Sequence, residues 1–126
     1  MVRLLLDTHV FLWSVGDDPR LSKKARSLIC AADEVFISSA SIWEASIKAG
    51  IGKLDVDIDL LVNEIANSGF LELPVRAAHA AYTRHLPDIH RDPFDRLLIA
   101  QAMTEPLRLV TADGQLEKYT DLVMRI

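Results

Sequence analysis

The sequence predicts an α/β fold, a three-layer α/β/α sandwich around a mostly parallel central sheet of about five strands. Short apolar runs alternate with helix-type segments along the whole chain, and cap residues precede several of those segments. The first run, residues 2–6, is apolar almost throughout, which is typical of a strand buried on both faces of a parallel sheet. The length of 126 residues suits one domain, so we expect a single domain over residues 1–126.

Two strands and four helices are predicted in the first 69 residues. The strands are residues 2–6 and 35–38. Ser22 is a good N-cap because its hydroxyl accepts a hydrogen bond from a free amide of the first turn, and Gly69 suits a helix C-terminus. Helices are expected after Asp7, after Ser22, from Ser39 or Ala40 to Lys48, and from Asp57 or Asp59 to about Gly69.

Three strands and three helices are predicted in the remainder. The strands are residues 70–73, 108–111 and 122–126, and the helices are 75–86, 93–103 and a short one at 114–119. Asp92 and Pro93 mark the start of the second helix, because Asp caps free amides and Pro is tolerated in the first turn.

Composition and charge narrow the classes of function. Half of the residues are apolar, which is typical of a globular fold, and no run approaches the roughly 18 apolar residues that span a bilayer. The net charge of −4 does not favour a protein that coats duplex nucleic acid. The single cysteine, Cys30, lies among apolar residues and is expected to be a core thiol in a reducing cytosol. We therefore expect a cytoplasmic protein with no membrane partner.

Two carboxylates follow predicted strands directly. Asp7 ends the first strand, and Asp113 comes two residues after the fourth. In open parallel sheets ligand sites lie outside the carboxyl ends of the strands, so these two acids are expected to share one edge.

Two further carboxylates lie on predicted helices. Asp95 is followed at i+3 and i+4 by Leu98 and Ile99, so helical periodicity turns it toward the sheet. Glu44 shares a helix side with Ile47, near the expected edge of the second strand. A carboxylate on a buried face is costly unless it is paired or binds a metal.

Gathering these acids points to a divalent cation. At an effective dielectric constant near 20, two like charges ~4 Å apart repel by about 4 kcal/mol. Mg²⁺ or Mn²⁺ offsets this repulsion and prefers oxygen ligands. A bound ion also lowers the pKa of a water molecule and stabilises charge on a phosphoryl oxygen. The pattern predicts metal-assisted phosphodiester hydrolysis with one or two ions.

Most of the acids also have a purely structural interpretation. Asp7 and Asp92 suit helix caps, Glu44 can pair with Lys48 one turn later, and Asp113 belongs to an Asp-Gly turn. These alternatives stay open at the level of sequence.

Several other side chains are candidates for contacts around the acids. Hydroxyl groups suit hydrogen bonds that orient carboxylates, and basic groups suit phosphate. The hydroxyl candidates are Thr8, Ser39 and Thr111, and Asp92 is a candidate for a further metal ligand or an outer-sphere acceptor. Arg96 is a candidate for a salt bridge to the acids or for a phosphate contact. His90 and Arg91 are candidates for phosphate contacts. The four histidines lack zinc-site spacing, and Trp13 and Trp43 are expected in the core.

Four segments occur in a characteristic order, namely LLLDTHVFLW, SSASIWEASIK, HRDPFDRLLIAQA and LVTADGQLEKY. In order and spacing they resemble the PIN-domain nucleases, and most closely the VapC-like ribonuclease toxins of toxin-antitoxin pairs. The resemblance runs from about residue 2 to the C-terminus. It implies a Mg²⁺- or Mn²⁺-dependent endoribonuclease, commonly a homodimer, held inactive by a cognate antitoxin.

The resemblance also assigns roles by position. Asp7, Glu44, Asp95 and Asp113 match the four family acids that serve as metal ligands and catalytic residues. Thr111 matches the hydroxyl residue that often precedes the last acid. Asp92 belongs to the DPFD form of the third motif, in which its role is less defined.

Three functional hypotheses follow. The first is a metal-dependent endoribonuclease toxin in which a metal-activated water hydrolyses single-stranded or loop RNA. The second is a non-catalytic or weakly catalytic binding module that acts with a DNA-binding partner protein. The third is a phosphatase-like enzyme with Asp7 as nucleophile, although that class usually has a second Asp where this chain has His9.

Overall fold

The computed structural model describes residues 1–126 as five strands and six α-helices, with two short 3-10 helices at Thr83–His85 and Gly114–Lys118. The strands are β1 Arg3–Leu6, β2 Glu34–Ser38, β3 Leu71–Leu73, β4 Arg108–Thr111 and β5 Val123–Arg125. The α-helices are α1 Thr8–Val15, α2 Lys23–Ala31, α3 Ser39–Gly50, α4 Ile58–Asn67, α5 Ala77–Tyr82 and α6 Pro93–Thr104.

All five strands are parallel and follow the order β3-β2-β1-β4-β5. The prediction of about five mostly parallel strands is therefore confirmed, and no strand runs antiparallel. The direction of winding reverses at β1, which lies between β2 and β4. Ligand sites in such sheets form where the winding reverses, outside the carboxyl ends of the strands.

Helices cover both faces of the sheet. Leu4 and Leu6 of β1 pack on one face with the buried side chains of α1, α2, α3 and α4. Leu5 points to the other face and packs with α6 and the C-terminal segment. Successive side chains of a strand alternate between faces, so one leucine run serves both cores. This arrangement confirms the three-layer sandwich.

The predicted caps are present. Ser22 accepts a hydrogen bond from the Ala25 amide at the start of α2, and Asp57 caps α4. Gly69 follows α4 with φ of 77°, a left-handed conformation that glycine adopts without strain. The predicted helix over residues 114–119 is a 3-10 helix that Asp113 caps.

Two predictions about buried side chains are wrong. Cys30 is exposed, because Ala25 and Ile29 occupy the face of α2 that meets the sheet and the next residue turns about 100° away from it. Trp43 is 59% exposed for the same geometric reason, since its neighbour Glu44 takes the inward position. Its ring instead packs edge-on against the Phe94 ring, 4.9 Å between centroids.

None of the helices combines the length and the apolar character that crossing a lipid bilayer requires.

Candidate active site

Asp7 lies at the carboxyl end of the central strand and is only 5% exposed. One carboxylate oxygen, Oδ1, accepts a hydrogen bond from the Val10 amide at 2.9 Å, so Asp7 is also the N-cap of α1. The other oxygen accepts a hydrogen bond from the Thr111 hydroxyl at 2.6 Å. A carboxylate oxygen has two lone pairs. The protein therefore fixes the Asp7 carboxylate and leaves one lone pair on each oxygen for a further ligand.

Thr111 connects the first and last acids of the site. Its hydroxyl donates to Asp7 and accepts a hydrogen bond from the Asp113 amide at 3.0 Å. Asp113 itself caps the following 3-10 helix by accepting from the Gln115 amide at 2.9 Å. Both acids line one cleft of about 330 Å³. The two strand ends thus bring Asp7 and Asp113 to the same edge of the sheet.

Glu44 enters the site from α3 and is 6% exposed. The Lys48 ammonium donates to its Oε2 at 2.9 Å. The ion pair with Lys48 one turn later is therefore present, but on a buried face rather than a solvated one. Glu44 therefore brings a carboxylate to the site together with the Lys48 ammonium that is paired with it.

Asp95 enters from the first turn of α6 and has an unusual proton affinity. Burial raises the pKa of its carboxyl to about 6, and the neighbouring charge of Asp92 adds to the effect. A hydrogen bond from His90 opposes this shift, and the two atoms that it joins, His90 Nε2 and Asp95 Oδ2, are 2.9 Å apart. The charges of Asp7 and Glu44 raise the pKa of Asp95 further. Asp95 therefore experiences the fields of the other acids.

Asp7 responds in the same direction. Burial raises the pKa of its carboxyl, and the hydrogen bonds from Thr111 and Val10 and the charge of His9 oppose the shift. The charge of Glu44 raises it again. A carboxylate whose negative charge is disfavoured by burial and by like charges is stabilised by a cation more than an exposed one.

The four predicted acids are consequently brought together. The charge of Glu44 raises the pKa of both Asp7 and Asp95, the charge of Asp7 raises that of Asp95, and Asp113 shares a cleft with Asp7. One ligand atom from each of His90, Asp95 and Asp113 lies within 4.8 Å of the other two. Carboxylate oxygens with one nitrogen suit a divalent cation such as Mg²⁺ or Mn²⁺, so the donor set fits a metal.

The residues predicted around the acids have different surroundings. Thr111 contacts two acids, as described above. Asp92 is the N-cap of α6, accepting from the amides of Phe94 and Asp95 at 2.8 and 3.1 Å, and it acts on Asp95 through its charge.

Thr8 and Ser39 do not orient a carboxylate. The Thr8 hydroxyl donates to the Ser41 hydroxyl at 2.9 Å and joins α1 to α3, and the Ser39 hydroxyl accepts from the Val75 amide at 3.1 Å. Each hydroxyl lies on the first residue of its helix, and the sequence alone does not show whether its partner there is an acid or another polar group.

Arg96 forms no ion pair with the acids, which corrects the salt-bridge interpretation. It follows Asp95 by one residue, so its side chain leaves α6 about 100° around the axis. Its guanidinium donates to the carbonyl oxygens of a loop and contacts the Tyr119 hydroxyl. The carbonyls are those of Thr83, Leu86, Pro87 and His90, at 2.9–3.4 Å.

Sequence reasoning did not place His90 among the acids, where the structure has it. Its spacing to Asp95 is not a metal-binding motif, and the loop before α6 has no periodicity that predicts direction. One signal in the sequence could have found it. His90 lies two residues before Asp92, the cap at which the loop ends and α6 begins, so it must lie close to the first turn of α6 and to Asp95.

With the geometry established, comparison with known proteins identifies the class. The sequence matches the PIN domain family over residues 4–122. The chain therefore belongs to the PIN domain family. A curated relative is the ribonuclease VapC22 of Mycobacterium tuberculosis (strain ATCC 25618 / H37Rv), 31% identical over 124 residues, covering 94% of this chain and 93% of the relative.

Solved structures share the fold. The crystal structure of VapBC2 from Rickettsia felis, bound to a DNA fragment from their promoter, contains a chain with a TM-score of 0.71 and 16% identity; the match covers 99% of this chain and 98% of that one. A toxin-antitoxin complex from Klebsiella pneumoniae gives 0.66 and 18%, with 98% and 99% covered. At such identities these likenesses concern the fold.

The raised pKa of Asp95 predicts how its removal changes stability. Since the unfolded chain has the ordinary pKa of 3.8, the folded state holds the proton more tightly, and stability is lost as the pH rises to about 6. In metal-free protein, Asp95→Asn is expected to increase the free energy of unfolding by about 1–2 kcal/mol at pH 7.5, after allowance for partial exposure. At pH 4 the gain should nearly vanish.

Urea unfolding in EDTA at both pH values measures this difference. Asp88→Asn removes a charge from the exposed loop and is the control, expected to change stability by less than about 0.5 kcal/mol. A destabilised Asp95→Asn protein at pH 7.5 would assign Asp95 a structural role.

The contacts of Arg96 predict that it orders the loop before α6. Arg96→Gln removes most donors to the carbonyls of residues 83–90 and should lower the free energy of unfolding by about 1–3 kcal/mol. Hydrogen exchange of the amides of residues 86–90 should become faster, which mass spectrometry of peptic fragments measures. Arg91→Gln, at an exposed position of the same loop, should leave both quantities unchanged.

Proposed function

We propose that this protein is a metal-dependent endoribonuclease, a single nuclease domain over residues 1–126 that acts in the cytoplasm as the toxin of a toxin-antitoxin pair. The observation that carries the proposal is the convergence of four carboxylates at the carboxyl edge of β1 and β4. Membership of the PIN domain family and the likeness to a ribonuclease support it. They also favour a nuclease over a phosphatase-like enzyme.

Asp7, Glu44, Asp95 and Asp113 would hold one or two Mg²⁺ or Mn²⁺ ions. Held by these residues, an ion would supply an activated water as the nucleophile and would offset charge on the phosphoryl oxygens. The Thr111 hydroxyl and the Val10 amide hold Asp7 in one orientation, so little reorganisation is needed when substrate binds. Lys48, paired with Glu44, places a positive charge beside the acids.

The surroundings of the acids support a single-stranded RNA substrate. The cleft that Asp7 lines and a larger neighbouring one of about 590 Å³ are both lined by His9, Trp13 and Arg20, and the larger one also by Lys48 and Lys53. The Arg20 guanidinium is paired with Asp18 and covers the Trp13 ring, so the lysines are the basic groups of this groove that would contact RNA. Basic groups along a groove that can follow a phosphate backbone are typical of single-strand binding.

We further propose two protein partners. A cognate antitoxin is supported by the fold shared with proteins solved as VapBC complexes. A second copy of the chain is supported by an exposed apolar stripe on the outside of α3 and its C-cap, formed by Trp43, Ile47 and Ile51 at intervals of four residues. Exposed apolar patches of this kind mark protein interfaces.

RNA cleavage by the purified protein tests the activity. Wild-type protein should cut a mixed single-stranded RNA pool with Mg²⁺ or Mn²⁺ and be inactive in EDTA. Asp7→Asn should abolish cleavage, because a neutral amide no longer provides the charge that binds the cation, while circular dichroism shows a folded protein. Asp88→Asn, at an exposed position outside the site, should cleave like wild type.

Equal inactivity of wild type and Asp7→Asn with every metal would support the binding-module alternative. Mass spectrometry of the purified sample completes that test, since a co-purified antitoxin would also block the site. Cleavage that persists in EDTA or in Asp7→Asn would contradict the proposed mechanism.

Sedimentation equilibrium tests the dimer. Wild type should have twice the chain mass, and Ile51→Glu should dissociate it by placing a charge in the apolar contact. Leu60→Glu provides a matched control, because both residues are 62% exposed but Leu60 lies on α4. A monomeric wild type, or equal dissociation by both variants, would contradict an interface on α3.

A further inference from the structure

The His90 imidazole lies within the group of acids that would hold the metal. Its Nε2 is 2.9 Å from Asp95 Oδ2, and one ligand atom from each of His90, Asp95 and Asp113 lies within 4.8 Å of the other two. In an octahedral site with bonds of about 2.1 Å, adjacent ligand atoms are about 3 Å apart and opposite ones about 4.2 Å apart. The 2.9 Å between His90 Nε2 and Asp95 Oδ2 therefore matches two adjacent ligands of one ion, with Asp113 close to both.

The loop that carries His90 is held in place by two side chains from different elements. The Tyr119 hydroxyl accepts from the His90 amide at 2.8 Å and is also 3.1 Å from the His90 carbonyl oxygen. Arg96 donates to the same carbonyl at 3.4 Å and to Pro87 in the same loop at 2.9 Å. These contacts fix the backbone of His90 without using its imidazole. A metal bound at Nε2 would replace the proton that this nitrogen shares with Asp95.

We propose that His90 is a nitrogen ligand of the metal centre and gives it a preference for Mn²⁺ over Mg²⁺. This inference rests on the proposed metal-dependent function and specifies which ion that function uses. Mg²⁺ is a hard cation that favours oxygen ligands and water, whereas imidazole suits first-row transition metals. A site with one imidazole among carboxylates consequently discriminates between two ions that a purely carboxylate site binds more evenly.

A competing role for His90 is that of an outer-sphere residue that only orients Asp95 through their hydrogen bond. The two roles make different predictions. An outer-sphere histidine affects both ions alike and is not bound to either. A ligand histidine is coupled to the spin of bound Mn²⁺ and affects the selectivity ratio.

Pulsed electron paramagnetic resonance of the Mn²⁺-loaded protein tests the bond directly. Wild type should show echo modulation from a directly coordinated imidazole nitrogen, and His90→Ala should lose it. His85→Ala removes an exposed histidine from the same region and should retain the modulation. Titration calorimetry should show the ratio of Mg²⁺ to Mn²⁺ dissociation constants falling roughly tenfold or more in His90→Ala and staying constant in His85→Ala.

Each result has a defined meaning. Nitrogen coupling in wild type that vanishes in His90→Ala, with the fall in selectivity, supports the assignment. Bound Mn²⁺ without nitrogen coupling in wild type overturns it, even if His90→Ala were to misfold. Metal-dependent RNA cleavage in that case would leave the proposed function standing and reject the ligand assignment alone. A wild type that binds neither ion and does not cleave RNA overturns both.

Discussion

Asp7 is removed from water at the end of the central strand, close to other carboxylates, and the surrounding elements are arranged around this electrostatic constraint. Two hydrogen bonds hold its oxygens, from the first turn of α1 and from the end of β4. Neither donor carries a full charge, so the excess negative charge is only partly compensated. That residual charge is what makes the edge of the sheet suited to a cation.

The topology explains why the acids meet there. β1 is flanked by β2 and β4, and the chain winds outward from it in both directions. The helices that follow β1 and β2, together with α6 before β4, therefore begin near one edge. Asp7 and Asp113 lie at strand ends, whereas Glu44 and Asp95 come from helices that pack beside them. The acids are far apart in sequence and close in space because a parallel sheet gathers its carboxyl ends.

Much of the fold and of the acidic site could be predicted from the sequence, because the regular geometry of strands and helices determines where those residues lie. Asp7 and Asp113 follow buried apolar runs, and helical periodicity turns Asp95 inward. The caps at Ser22 and Asp92 fix helix starts within a residue.

The other features of the site could not be predicted, because they depend on tertiary contacts that the periodicity of the sequence does not reveal. Arg96 donates to loop carbonyls whose position is set by tertiary folding, and His90 lies on the loop that those contacts order. Cys30 and Trp43 were assigned to the core from apolar character, but a helix face holds few inward positions and neighbouring residues fill them. The sequence therefore predicts well which acids converge. It predicts less well which polar residues contact those acids.

The Thr111 hydroxyl joins two acids that the chain separates by more than a hundred residues. A polypeptide is made from its N-terminus, so β1 exists long before the strand that completes its edge. Until residue 113 has been added, Asp7 has neither its hydroxyl donor nor its last acidic neighbour. Shorter nascent chains on the ribosome therefore lack an assembled site, and any partner that recognises the assembled edge can bind only a chain that extends past residue 113.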